Sequence, residues 1–262
     1  MNAILQSFAQ VLLKERYNEY VMLISQFQKE GKRTFAFRNR AILEKGWLDV
    51  EASHDCLTEE EILKCFAIHT HYMYIIDWSG EEYLGQVKRS ITMMLKKYGI
   101  EKFNWDTKKI ENSLDWTNMR RGNYLPLLFS AMNKELDRNN FSLVLWDDQS
   151  DCFNYTILPT TDFLIFDGLE FTNGSYLVNA KTYNIYLTDK GDNISKVMLY
   201  LKKLFTVPLS EIKEFYSREK IFLAVGNIIT VKKFRKEIEE LGGRIEVEES
   251  SYGYVVNNKI TI

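Results

Sequence analysis

An α+β fold in two domains is what this sequence predicts, and three patterns predict it. Apolar residues recur at helical spacing in several long segments, with short β-rich runs between them. Phe141–Trp146 and Phe153–Leu158 flank the turn-forming stretch Asp147-Asp148-Gln149-Ser150-Asp151, as two strands of a hairpin do. The 262 residues are 45% hydrophobic and 14% aromatic, enough for a real core and longer than a typical single domain.

Residues 3–30 carry Ile4, Phe8, Val11, Leu12, Tyr20, Leu23, Ile24 and Phe27, which predicts one long amphipathic helix. A short strand is expected at Thr34–Phe37. Thr58 opens the next helix, with Glu61 three residues on completing a capping box and the run of acids favoured by the helix dipole. Tyr72–Ile76 is a β-rich run ending in Asp77-Trp78. A helix is expected from about Gly80 to Tyr98, and another from about Tyr124 to Arg138. The hairpin follows, its first strand so apolar that it reads as buried on both faces. Thr160-Thr161-Asp162 can start a short helix, Asn173-Gly174 is a turn, and the boundary between domains is expected near Ala180. No internal repeat or low-complexity tract interrupts the chain.

A net charge of −2 and a pI near 6.0 argue against nucleic-acid binding through bulk charge. The basic pairs Lys108-Lys109 and Arg120-Arg121 near aromatic residues are too sparse to reverse that expectation. Three cysteines, Cys56, Cys65 and Cys152, form no even framework and suit a reducing cytosol. The first sixteen residues lack a basic leader and a small-residue cleavage site, and no apolar run approaches the ~18 residues that span a bilayer. The expectation is a cytoplasmic protein with no membrane partner and no cofactor.

Residues 181–250 order their elements as strand, two helices, strand, helix, strand. Ile194, Val197, Leu201 and Leu204 form one apolar stripe, and Val231, Phe234, Ile238 and Leu241 another. Pro208 suits a first helical turn and Gly242-Gly243 a helix end. The stretch from Thr182 to Glu249, through KGDNISKVMLYLKKLF and VGNIITVKKFRKEIEELGGRIEV, resembles the C-terminal globular domain of the bacterial ribosomal stalk protein. That resemblance implies a βααβαβ domain whose first two helices bind translation factors. It places Lys202 and Lys213 on basic positions of that surface and Met198 on an aliphatic one. The departures are Ser195 for an aliphatic residue, Leu199 for a basic one, and Thr206-Val207-Pro208-Leu209 for a glycine-containing turn. The stalk protein's small dimerisation domain has no counterpart here.

The N-terminal part, expected to hold a mixed α/β-type sheet over residues 1–180, carries Ile75-Ile76-Asp77-Trp78, Phe141–Asp147 and Tyr155–Leu158. These resemble a bacterial domain of unknown function found among proposed immunity proteins of toxin systems.

His54, Cys56, Cys65, His69 and His71 fall close together, yet their spacing matches no usual zinc signature, so no metal site is expected. Asp77 and Asp147 each end an apolar run, with Asp148 beside them. Were the two strands parallel neighbours, their carboxylates would gather at one sheet edge and could hold a hard cation. Turn chemistry is the competing explanation, because Asp bends chains by bonding its own backbone. Trp105, Trp116 and Trp146 suit a core as well as a cleft. No phosphate loop, nucleophile elbow or HExxH helix is present.

These observations predict a non-enzymatic protein-binding protein, with a toxin-neutralising immunity role as the most concrete version. Partner contacts are assigned to Met198, Leu199, Lys202 and Lys213. A metal-dependent hydrolase using Asp77, Asp147 and Asp148, or a ribosome- or translation-factor-binding protein, are the competing readings. Residues 251–262 form an extension in which two β-prone runs flank Asn257-Asn258-Lys259. It is expected to fold back as an extra strand or to pack on the N-terminal domain.

Overall fold

The structure is a computed structural model that describes residues 2–106 and 124–250. The extension at 251–262, Trp116, Lys108-Lys109 and Arg120-Arg121 lie outside the described residues. The fold is α+β with two antiparallel sheets. The chain divides into two compact units, Met1–Lys108 with Met132–Val178, and Lys109–Ala131 with Asn179–Ile262.

The first unit begins with α1 (Ala3–Leu13), α2 (Tyr17–Glu30), α3 (Lys32–Arg38), α4 (Arg40–Lys45), α5 (Val50–Ser53) and α6 (Glu59–His69). It continues through β1 (Tyr74–Asp77), α7 (Gln86–Lys96), α8 (Tyr124–Asp137), β2 (Phe141–Asp147), β3 (Cys152–Pro159), α9 (Thr160–Phe163) and β4 (Tyr176–Asn179); the division between units falls inside α8. The sheet order is β1-β3-β2-β4. The expected hairpin is present, with Leu143 opposite Ile157 and Leu145 opposite Tyr155. Strand register puts Val144, Trp146, Asn154, Thr156 and Ile75 on one face. There Phe8 and Leu12 of α1 and Leu63 and Phe66 of α6 complete a core around Trp146. The opposite face carries Tyr155, whose hydroxyl lies 2.7 Å from Ser90 Oγ of α7. Helices therefore cover both faces of the central strands, and those strands are mostly apolar for that reason, with Ser142, Asn154 and Thr156 as buried polar exceptions.

In the first unit, four readings are corrected. The helix expected over 3–30 is two helices, broken where Lys14 leaves helical space at φ 48° and ψ −116°. Lys14-Glu15-Arg16 holds no apolar residue, so nothing in the core requires the helix to continue there. Thr34–Phe37 is not a strand but part of α3, which buries Phe35 and Ala36; tertiary burial overrides the weak local β preference. The helix expected from Gly80 begins only at Gln86, because the Glu81 carboxylate accepts the Gly85 and Val87 amides and caps it there. Finally, β1 and β2 are not neighbours. Each pairs antiparallel with β3, which runs between them.

The capping box is formed as expected: Thr58 Oγ1 accepts the Glu61 amide at 3.2 Å and the Thr58 amide donates to Glu61 at 2.8 Å.

The second unit contains β5 (Tyr183–Asp189), α10 (Ile194–Phe205), α11 (Leu209–Ser217), β6 (Ile221–Gly226), α12 (Ile228–Glu239) and β7 (Arg244–Glu249). Its sheet order is β6-β5-β7, antiparallel throughout. Val197 and Leu201 of α10, Ile212 of α11 and Val231, Phe234 and Ile238 of α12 meet Ile185, Leu187 and Leu223 in one core. Ile194, expected on the buried stripe, is instead 52% exposed at the first position of α10. Thr206 ends α10 in left-handed conformation (φ 57°), and Pro208 precedes α11 rather than entering its first turn.

One close approach fixes how α4 meets α6. A Cβ added at Gly46 would lie 2.5 Å from Cys65 Sγ and 2.8 Å from Cys65 Cα. Gly46→Ala is expected to lower stability by about 1–3 kcal/mol through overpacking. Urea denaturation should show a lower midpoint with an unchanged slope; an unchanged midpoint would show that α4 can move freely off α6.

Candidate functional site

The assigned partner-binding residues lie on α10 and α11. Leu199 is 65% exposed and stands beside the half-buried Met198, with Ile194 one turn before Met198. Lys202, in the last turn of α10, is exposed and complements the helix dipole there. Lys213 is exposed on α11, which is held against α10 by Phe205 and Phe215, ring centroids 5.8 Å apart. Buried Val197, Leu201 and Ile212 anchor both helices from beneath. The surface is thus apolar and cationic on rigid supports.

The carboxylates at the end of the first unit's sheet behave differently. Asp77 Oδ1 accepts the Ser79 amide at 2.8 Å, Asp147 Oδ1 the Gln149 amide at 2.8 Å, and Asp148 Oδ1 the Ser150 amide at 3.2 Å. Each bends the chain that follows it, as turn-forming Asp residues do. Asp148 also takes a 2.5 Å ion pair from Lys64 of α6, with side chains only 13% and 18% exposed. Burial by itself would raise the Asp148 carboxyl; Lys64 and the Ser150 hydrogen bonds outweigh it and hold the group below its ordinary value. Asn154 donates to Asp148 Oδ2 (3.1 Å) and to Trp146 O (3.3 Å), while its buried Oδ1 has no partner. Cys152, opposite Asp77, has its thiol pushed up by burial and then by Asp77, Asp148 and Asp151. Among the described residues, no three His, Cys, Asp or Glu side chains are grouped to hold a metal ion.

The histidines and cysteines of residues 54–71 are dispersed. Cys65 is buried against Gly46, and burial pushes its thiol up to about 12. His69 and Cys56 are exposed, and His54 Nδ1 lies 3.0 Å from the carbonyls of Val50 and Glu51. Trp146 is core, stacked on Phe171 with its Nε1 donating to Ser175, and Trp105 donates to Thr92.

A cluster around Glu15 is marked by no sequence motif. Its only local signal is the charged run Lys14-Glu15-Arg16 interrupting an apolar helix. The Tyr72 hydroxyl donates to Glu15, and this bond, followed by Glu15's own backbone, holds the carboxyl below its ordinary value. Lys97 Nζ lies 3.4 Å from the Tyr72 ring centroid and donates to Thr70 O at 2.7 Å, capping the end of α6. Burial lowers Lys97 to about 8, with Glu15 opposing. Lys14 Nζ lies 3.4 Å from the Tyr98 ring centroid, also lowered by burial against the pull of Glu15 and Asp162. The Lys14 backbone conformation costs roughly 1–3 kcal/mol, a kind of strain that concentrates at functional positions.

Residues 13–166 match a protein family described as Domain of unknown function (DUF6630). The chain belongs to that family. No curated protein and no solved structure matches the chain. The match takes in Lys14, Lys64, Asp77, Lys97, Asp147 and Asp148, whereas the α10–α11 surface lies beyond it. No helix among the described residues is long and apolar enough to cross a membrane.

Asp148→Asn is expected to destabilise the protein near neutral pH by roughly 1–3 kcal/mol, leaving Lys64 without its counter-charge. Because the folded carboxyl is depressed, its contribution is present above the unfolded value of about 3.9 and lost as pH falls through the lower folded value. Urea denaturation at neutral and at acid pH should therefore show the gap between variant and wild type closing in acid. A gap that stays constant would assign the loss to packing.

Proposed function

We propose that this chain is a non-catalytic protein-binding protein whose partner docks on α10 and α11. The observation that carries the reading is the exposure of Ile194 and Leu199 beside Lys202, on a helix whose other face is anchored in a core. Exposed apolar side chains rimmed by charge are how docking surfaces differ from the ordinary solvated face of a helix. The resemblance of residues 182–249 to the stalk protein's C-terminal domain supports the same surface. The departures at Ser195, Leu199 and Thr206–Leu209 point to a different partner from that protein's.

Toxin neutralisation is the most concrete form of the proposal. It rests on the resemblance of Ile75–Trp78, Phe141–Asp147 and Tyr155–Leu158 to a domain found among proposed immunity proteins. A toxin gene adjacent to this one in the genome would support that form.

Affinity purification from the native host, with near-stoichiometric recovery required, tests the proposal. Leu199→Glu and Lys202→Glu should each weaken the recovered complex by about 2 kcal/mol or more, roughly thirtyfold in Kd. Lys236→Glu on α12 should leave it intact. A complex indifferent to Leu199 and Lys202 would move the interface elsewhere, and no partner at all would end the proposal.

A further inference from the structure

The outward face of α10 carries a charge that nothing beside it balances. Lys196, Leu199 and Lys203 follow one another at steps of three and four residues, so they share one face, and Lys202 flanks Leu199 three residues on. All three lysines are exposed, and Leu199 stands among them. No Asp or Glu occurs from Asn193 to Ser210, although the whole chain has a net charge of −2. Among the described residues, Lys196, Lys202 and Lys203 make no ion pair and no hydrogen bond. The acids of α11 do not supply the missing charge. Glu214 pairs with Arg218 at 3.4 Å, and Glu211 sits in the first turn of its own helix, where the dipole favours it. The basic helix α12 differs on both counts. Its Lys233 and Arg235 each have a glutamate four residues on, Glu237 and Glu239, and it exposes no large apolar side chain.

Resting on the docking surface of α10 and α11, we propose that the partner presents an acidic amphipathic helix, with an apolar anchor against Leu199 and carboxylates against Lys196, Lys202 and Lys203. Carboxylates three and four residues from an apolar anchor repeat the spacing of the α10 face, because both helices rise about 5.4 Å per turn. The anchor separates this partner from a nucleic acid, whose phosphates would meet the lysines and leave Leu199 in water. A cationic partner is opposed by like-charge repulsion. If the partner is a toxin, it therefore docks through an acidic face and not through a basic one that binds nucleic acid.

Fluorescence anisotropy with the whole chain tests this. The probe is a labelled synthetic helical peptide with leucine once per turn, flanked by glutamates. It is compared with the same peptide carrying lysine for glutamate, and with a single-stranded RNA of matching length. Saturable binding of the glutamate peptide alone is expected, weakened about tenfold or more by Lys196→Glu, by Lys203→Glu and by raising salt from about 0.05 to about 0.5 M. Lys203→Arg, which keeps the charge, and Lys233→Glu on α12 should leave it unchanged. No saturable binding up to about 1 mM, equal binding of the lysine peptide or the RNA, or indifference to both glutamate variants would each overturn the acidic helix. Failure of the docking surface itself reads differently. A host complex lost in Leu199→Glu but kept in Lys196→Glu and Lys203→Glu would retain the surface and reject the acidic partner, and no host complex at all would remove both.

Discussion

The first unit depends on β3 being covered on both faces. Cys152–Pro159 runs between β1 and β2 with helices above and below, so its buried polar groups are drawn to partners inside the protein, Asn154 Oδ1 being left without one. Those partners set the positions of the surrounding elements. Thr156 Oγ1 donates to Tyr72 O at 2.6 Å, tying the chain after α6 to the strand. Tyr155 meets Ser90 and places α7, and Asn154 reaches Trp146 O and Asp148, linking the hairpin turn to Lys64. Tyr72, located by Thr156 through its carbonyl, then presents its ring to Lys97 and its hydroxyl to Glu15. The contacts of Tyr72 with Glu15 and Lys97 are therefore built outward from a buried strand.

The second unit offers its chemistry in another way. Its small sheet and three helices bury Val197, Leu201, Ile212, Phe234 and Ile238, leaving Ile194 and Leu199 as apolar groups without cover from its own core. A surface of that kind suits a macromolecular partner.

Much of the fold was legible because its signals are local. The capping box at Thr58 and Glu61, the acidic turn between β2 and β3, and the stripes Val197-Leu201 and Val231-Phe234-Ile238 all report on neighbours a few residues away. What was hidden depends on distant contacts. The break at Lys14 leaves the apolar periodicity unchanged, and α3 is a helix because Phe35 and Ala36 are buried, against a β-prone local sequence. The late start of α7 depends on Glu81 reaching forward to Val87. The aspartates at the sheet end could be found from the strands they terminate. Lys64, which decides the state of Asp148, lies on a separate helix and carries no motif. Lys14 and Lys97 are ordinary lysines in sequence, and only the fold seats them over the rings of Tyr98 and Tyr72.

Native-state hydrogen exchange on residues 141–159 tests the keystone role of β3 most directly. If both faces of the strand are locked as described, the interior amides of β2 and β3 exchange only through global unfolding, with protection free energies equal to that from urea denaturation. Exchange of Tyr155, Thr156 and Ile157 through local openings well below the global value, while α7 stays protected, would contradict it.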